Sequence, residues 1–138
     1  MPIVCNDLLG KPGIQIYQDT DAFNFSIDSI LLADFVSVST KIKKICDLCT
    51  GNAPIPMYLT LRCNAEITGV EVQEASTQLA IASIDLNNLS TRINIVNADL
   101  KGISNQIGKN AFEVVTCNPP FFKIGENNLS PDDRGAIS

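Results

Sequence analysis

The stretch KKICDLCTGNAPIP, residues 43–56, decides the fold class of this 138-residue chain. Its first part predicts a buried strand that ends near Asp47, and the loop CTGNA follows directly. Pro54 and Pro56 then precede the apolar run MYLTLRC, which suits a helix because proline is tolerated in a first helical turn. A strand followed at once by a helix is the building unit of a parallel α/β sheet.

The same alternation continues toward the C-terminus. Further strands are predicted at AEITGVEV (65–72), RINIVNA (92–98) and AFEVVTC (111–117), and a short helical or loop segment at 99–108. A long amphipathic helix lies between the second and third of these four strands. Its predicted buried face steps by four and three residues and consists of Ala75, Leu79, Ala82, Leu86 and Leu89. We therefore expect a Rossmann-like α/β fold, a parallel sheet with helices on both faces, in one domain over residues 1–138.

The N-terminal part has a weaker pattern. The first 25 or so residues are predicted to be irregular, with a short strand at GIQIYQ (13–18). Ser26 is expected to cap a helix that runs from Ile27 to about Val38, because its apolar residues recur at helical spacing.

Composition excludes several classes of protein. Hydrophobic residues make up 45% and charged residues 18%, which is typical of a globular domain. No run of about 18 apolar residues and no basic, apolar leader is present, so we expect no membrane contact and a cytoplasmic location. The five cysteines are odd in number and the chain has no histidine, which disfavours a disulfide framework or a zinc site. Two interpretations of Cys46 and Cys49 remain open. They form a redox-active CxxC pair, or Cys46 is a buried strand residue and Cys49 lies in the loop that follows.

Each predicted strand of the parallel sheet ends in a polar side chain: Asp47, Glu71, Asp99 and Asn118. Ligands of open parallel sheets bind beyond the carboxyl ends of the strands, so these four side chains are candidate ligand contacts. Any one of them is equally compatible with an ordinary turn. Four together favour a binding crevice.

The loop after the first of these strands predicts a ligand without a pyrophosphate. It lacks GxGxxG, and Pro54 removes an N–H group that a phosphate would use. Gly51 still permits close approach of a ligand to the backbone. Glu71 follows 20 residues later, where a carboxylate accepts hydrogen bonds from ribose hydroxyls, and Asp99 is placed to accept one from an adenine amino group. A ligand that contains an amine, a ribose and an adenine but no phosphate fits the description of S-adenosylmethionine.

With these segments in view, the chain resembles the class I S-adenosylmethionine-dependent methyltransferases from about residue 14 onward. The narrower resemblance is to the bacterial adenine-N6 methyltransferases that modify valine tRNA, carried by FNFSIDSILLADF (23–35), DLCTGNAPIP (47–56), GVEVQ (69–73), NADL (97–100) and CNPPFF (117–122). The resemblance implies tRNA as substrate. The methyl-donor site that it implies consists of Asp47, Cys49, Gly51, Glu71, Asp99 and Asn118, with Phe25, Ser26 and Asp28 closing over it.

The CNPPFF segment supplies the expected chemistry. An adenine amine is a weak nucleophile, and acceptors for its hydrogens, the Asn118 side-chain oxygen and the Pro119 carbonyl, favour its attack on a methyl group. Prolines hold these acceptors in place, and Phe121 offers a face on which a flipped base stacks. A stiff turn with core phenylalanines is the structural alternative. Methylation of a guanine amine in ribosomal RNA or of a protein glutamine would use the same acceptor groups, so these reactions are alternatives. A third hypothesis is a fragment that binds the donor without catalysing transfer.

Two features depart from the family pattern. Cys49 and Ala53 stand where relatives have glycine, which we expect to weaken donor binding at most. The family sheet has seven strands, whereas this chain is expected to contribute four of them. We therefore expect either a shortened gene product or a second copy or other partner that covers the edge of the fourth strand. The net charge of −5 is also unusual for a nucleic-acid binder.

Overall fold

The computed structural model describes residues 3–8, 11–19, 27–108 and 111–119. The strands in these ranges are β1 (Ile3–Leu8), β2 (Lys11–Asp19), β3 (Lys44–Leu48), β4 (Glu66–Glu71), β5 (Ile93–Asn97) and β6 (Val114–Cys117). The helices are α1 (Ile27–Phe35), α2 (Pro54–Leu59), α3 (Glu74–Leu86) and α4 (Ser104–Ile107). All four strands predicted for the parallel sheet are confirmed, and α1 ends earlier than the predicted Val38.

Strands β3 to β6 form one parallel sheet in the order β5-β4-β3-β6. The chain steps outward from β3 to β5 and then returns to the other side of β3. Because parallel crossovers are right-handed, α2 and α3 cover one face, and the connection from β5 to β6 crosses the other. The predicted Rossmann-like α/β class is confirmed. The strand order reverses between β3 and β6, and such a switch point is where open parallel sheets bind ligands.

The N-terminal residues form a structure that the sequence pattern only half predicts. Strands β1 and β2 pair as an antiparallel hairpin, separate from the parallel sheet. Side chains of α3 and of the residue that follows it hold the hairpin: Ser83 Oγ accepts from the Tyr17 N–H at 2.8 Å, and Asn87 exchanges two hydrogen bonds with the backbone of Gln15. β1 was missed because five of its six residues are exposed, which leaves no buried periodicity to detect.

The core lies between the sheet and its helices. It is built from one isoleucine of each of three neighbouring strands together with residues of α2 and α3, namely Ile45, Ile67, Ile93, Met57, Leu59 and Ile84. The apolar face predicted for α3 is wrong at Ala75, Ala82 and Leu86, which are exposed, whereas Leu89 packs against the core. Its buried residues are Thr77, Ala80, Ser83 and Ile84, whereas Leu86 is 42% exposed. Polar Thr77 and Ser83 are buried because their hydroxyls form hydrogen bonds with neighbouring segments.

Strand β6 pairs only with β3 among the described residues, and its Val115 side chain is 59% exposed. The prediction that a second copy or another partner covers this edge stays a prediction. None of the helices in the described ranges is both long and apolar enough to cross a bilayer.

Candidate functional site

The carboxyl ends of β3 and β6 meet at the switch point. Leu48 pairs with Cys117 in the parallel register, so the residues that follow them, Cys49 and Asn118, leave the sheet side by side. The thiols of Cys49 and Cys117 lie near enough for each to affect the pKa of the other. Two segments that lie far apart in the sequence, the loop after Asp47 and residues 117–119, therefore meet at the carboxyl edge of the sheet, where a ligand crevice is expected.

Asp47 lies beneath this crevice and has no exposed surface. The Thr50 hydroxyl donates to its Oδ2 at 2.6 Å, and the Thr116 hydroxyl donates to its Oδ1 at 2.6 Å. Burial raises the pKa of the Asp47 carboxyl to about 7, against the lowering effect of the two hydroxyl donors. Asp47 thus joins the loop after β3 to β6 from below.

The loop after β3 carries three left-handed residues in alternation. Cys49, Gly51 and Ala53 have φ values of 56°, 60° and 70°. The backbone therefore has the conformation that glycine adopts most easily at the two positions where this chain has cysteine and alanine. Space where a Cβ of Gly51 would point is open, with no atom within 4 Å, so a ligand can approach this residue closely.

Glu71 faces the same loop from the end of β4. Its Oε1 accepts the Gly51 N–H at 2.9 Å and its Oε2 accepts the Gln73 N–H at 2.9 Å. Both oxygens are thus fixed in direction while each keeps a further lone pair. Two residues earlier, a Cβ on Gly69 would lie 2.8 Å from the Thr50 Oγ1, so glycine allows the loop to pack on β4.

The end of β5 is arranged differently. Asn97 donates from Nδ2 to the carbonyls of Glu71 and Val72 at 3.0 and 3.1 Å, which fixes the chain reversal after β4. Asp99 is exposed, and its Oδ1 accepts the Lys101 N–H at 3.0 Å. The four predicted strand-end residues therefore occupy one edge of the sheet, with Asp47 beneath it and Asp99 at its side.

Asn118 lies half-buried at the end of β6, and its Nδ2 donates to the Ser29 Oγ of α1 at 3.0 Å. Pro119 follows and is exposed. Asp28 stands in the first turn of α1, next to Ser29 in the sequence. The predicted site residues Phe25, Ser26 and Phe121 lie outside the described residues.

Cys46 and Cys49 have the environment of structural thiols. Burial raises the pKa of Cys46 to about 11 and that of Cys49 to about 12, in Cys49 with a further contribution from the neighbouring Cys117. Thiolate is the reactive form of cysteine, so both thiols are poor nucleophiles near neutral pH. The interpretation of Cys46 as a buried strand residue is confirmed.

Several residues that shape the site were missed in the sequence. Thr116, Asn97 and Gly69 carry no recognisable signal, because a small polar residue or a glycine near a strand end is common. Thr50 does carry one, since it lies three residues after Asp47, within reach of a local side-chain hydrogen bond.

Comparison with known proteins adds to this geometry. The sequence profile of the methyltransferase small-domain family matches residues 20–130. The chain is 27% identical over 119 residues to the tRNA1(Val) (adenine(37)-N6)-methyltransferase of Cytophaga hutchinsonii, a match that covers 85% of this chain and 50% of that protein. The chain thus spans about half the length of this curated relative.

Solved structures share the fold. The tRNA (uracil-54, C5)-methyltransferase of Pyrococcus abyssi, in complex with S-adenosyl-L-homocysteine, superposes with a TM-score of 0.63 at 16% identity, over 86% of this chain and 28% of that one. A methyltransferase from Geobacter sulfurreducens in the same kind of complex superposes with a TM-score of 0.54 at 14% identity, over 67% and 36% of the two chains.

Proposed function

Because the chain belongs to the methyltransferase small-domain family, we propose that it takes part in transfer of a methyl group from S-adenosylmethionine to the exocyclic amine of adenine in tRNA. Two lines support the proposal: the juxtaposition of the loop after β3 with Asn118 at the switch point, and the similarity to a valine tRNA methyltransferase. The juxtaposition is the main support, because it brings together the groups that we propose to bind the donor and to orient the acceptor.

The residues present fit the methyl donor. Glu71 has two carboxylate oxygens that are fixed by backbone N–H groups and still have lone pairs to accept from ribose hydroxyls. Open space above Gly51 leaves room for the nucleoside beside the backbone. Asp99 is exposed and accepts from the adenine amino group. The donor supplies an electrophilic methyl carbon on a positively charged sulfur, which suits a crevice lined with carboxylates.

Asn118 and Pro119 supply the acceptors for the substrate amine. The Asn118 Oδ1 and the Pro119 carbonyl accept the two amine hydrogens, which frees the nitrogen lone pair from the ring and directs it to the methyl carbon. Acceptors that are held in place before the reaction stabilise positive charge as it develops on nitrogen. Attack by a protein nucleophile is not needed, in agreement with the raised pKa values of Cys49 and Cys117.

The remaining predicted residues keep supporting roles in the proposal. Asp47 acts from beneath the crevice, where it fixes Thr50 and so the path of the loop that includes Cys49. Phe25, Ser26 and Asp28 close over the donor, and Phe121 stacks on the extruded base.

Surface charge bears on how tRNA binds. Lys41, Lys43 and Lys44 are exposed, but they lie at the amino end of β3, on the opposite edge of the sheet from the crevice. This lysine group therefore does not contact the target base, and recognition of the reacting adenine rests on the crevice itself. A cytoplasmic location accords with a tRNA substrate.

The test is incorporation of a labelled methyl group from S-adenosylmethionine into bulk tRNA, followed by nucleoside analysis. We expect N6-methyladenosine, and we expect Asn118→Ala to reduce the rate by about 100-fold, as for removal of other preorganised transition-state contacts. Asn64→Ala is the matched control, because Asn64 is exposed just before the amino end of β4, away from the crevice.

Equal incorporation by the parent chain and by Asn118→Ala would remove Asn118 from the chemistry. A labelled guanine amine or labelled protein glutamine would keep the transfer reaction but overturn the adenine assignment. Absence of donor binding in calorimetry would overturn the proposal as a whole.

A further inference from the structure

We propose that Ser29 is a positioning residue that sets the orientation of the Asn118 carboxamide. The inference rests on the proposed role of Asn118, and it starts from one contact: the Ser29 Oγ accepts the Asn118 Nδ2–H at 3.0 Å across 89 residues of sequence. Ser29 is buried, so water does not compete strongly for this hydrogen bond.

The orientation of the carboxamide decides what Asn118 does. Its two ends differ chemically, since one is an acceptor oxygen and the other an NH2 donor, and rotation by half a turn exchanges them. Only the oxygen accepts a hydrogen from a substrate amine, whereas the NH2 group would oppose the amine with a second donor. Because Ser29 binds the nitrogen end, the oxygen end is left for the crevice, and no group in the described ranges donates to it.

Ser29 is itself held firmly. The guanidinium of Arg62 donates to the carbonyls of Ala33 at 2.6 Å and Val36 at 2.7 Å, which anchors the C-terminal end of α1 to the segment after α2. The Tyr58 hydroxyl donates to the Asp34 Oδ1 at 3.0 Å, a second link between α2 and α1. Ser29 lies one helical turn before Ala33, so these contacts fix its distance from β6.

The experiment compares Ser29→Ala with Ser83→Ala, a matched control. Ser83 is also a buried helical serine whose Oγ accepts one hydrogen bond, from the Tyr17 N–H, but it lies on α3 under the hairpin. The first readout is solvent exchange of the Asn118 side-chain amide, followed by NMR on the chain without donor. We expect about tenfold faster exchange in Ser29→Ala, the size of one lost hydrogen bond, and no change in Ser83→Ala.

The second readout consists of two measurements on each variant: the single-turnover rate of methyl transfer and the affinity for S-adenosylhomocysteine. We expect Ser29→Ala to slow transfer about tenfold with the affinity unchanged, and Ser29→Thr, which keeps the hydroxyl, to restore both exchange protection and rate. A merely structural role would weaken ligand binding as well, or would appear equally in Ser83→Ala.

Two outcomes separate this inference from the proposed function. Unchanged amide exchange in Ser29→Ala, or equal acceleration in Ser83→Ala, overturns the role of Ser29 whatever the chain catalyses. A rate that is insensitive to Asn118→Ala overturns the proposed function instead, while the exchange measurement still shows whether Ser29 orients the carboxamide. If Ser29→Ala does not fold, Ser29→Cys, which keeps the volume but accepts more weakly, is expected to give intermediate exchange.

Discussion

Asp47 and Asp99 are both carboxylates at the ends of parallel strands, yet the fold gives them opposite environments. Asp47 is in the central strand β3, has neighbours on both sides in β4 and β6, and is fully buried with both oxygens engaged. Asp99 follows β5, the outer strand of the described sheet, and is exposed with one local hydrogen bond to the Lys101 N–H.

The difference shows how position in the sheet divides the work among similar side chains. A carboxylate beside the switch point, between two strands, is enclosed by the loops that follow those strands, so it stabilises them and contacts little else. A carboxylate after an outer strand keeps its lone pairs for a ligand. The same residue type thus supports the site at one strand and is available for binding at another.

The largest expected effect is on the pH dependence of stability. Burial raises the Asp47 pKa from 3.8 to about 7, so between these values the folded chain holds a proton that the unfolded chain has lost. The contribution of Asp47 to the free energy of unfolding therefore falls as pH rises through this window, by up to about 1.4 kcal/mol per pH unit, and does not change further above it. Asp47→Asn is expected to flatten this slope in urea denaturation series.

A second variant checks the cause. Thr116 donates to Asp47 and lowers its pKa, so Thr116→Val is expected to extend the falling part of the curve to higher pH. Parallel curves for the parent chain and Asp47→Asn would mean that Asp47 does not titrate in this window.

The second-largest expected effect is a loss of stability when the packing of Thr50 above Asp47 is disturbed. A Cβ at Gly69 would lie 2.8 Å from the Thr50 Oγ1 and 2.9 Å from the Ile95 Cδ1, so Gly69→Ala must displace neighbouring side chains, and we expect Thr50 to move away from Asp47. We expect a loss of about 1–3 kcal/mol in the free energy of unfolding, typical of overpacking.

A double-mutant cycle isolates this clash. In a Thr50→Ala background both of the Thr50 atoms that crowd the Cβ are gone, so the added cost of Gly69→Ala is expected to fall by about 1 kcal/mol. Additive costs would show that the strain lies elsewhere, for example at Ile95.

The fold was predictable from the sequence where burial and periodicity coincide. β3 and β4 have mostly buried residues and were predicted almost to the residue. β1 has mostly exposed residues and was missed, and the buried face of α3 was assigned wrongly because Thr77 and Ser83, which are polar, occupy it. Amphipathic patterns register apolar side chains, and they do not detect a hydroxyl that is buried because it has a partner.

The candidate site was also only partly predictable from the sequence. Strand-end acids and Asn118 could be proposed because parallel strands present their carboxyl ends at one edge. The contacts that orient them could not, because they join residues that are distant in the sequence, such as Thr116 with Asp47 and Asn118 with Ser29. Only the register of β3 with β6 and the packing of α1 bring these pairs together.

The smallest structural effect is expected at Asp99. Asp99→Ala removes an exposed side chain, so the free energy of unfolding should change by no more than about 0.5 kcal/mol. If Asp99 accepts from the adenine of the donor, the same variant weakens binding of S-adenosylhomocysteine about tenfold, the size of one hydrogen bond to a charged group. Calorimetry measures the affinity, and urea denaturation measures the stability.

Asp85→Ala supplies the control, because Asp85 is another exposed acid, on α3, and its removal changes the net charge equally. A tenfold loss in Asp99→Ala with none in Asp85→Ala separates a specific contact from a general electrostatic effect. A loss of stability in Asp99→Ala as large as that in Gly69→Ala would instead place Asp99 with Asp47, as a carboxylate whose main role is to hold the loop that follows its strand.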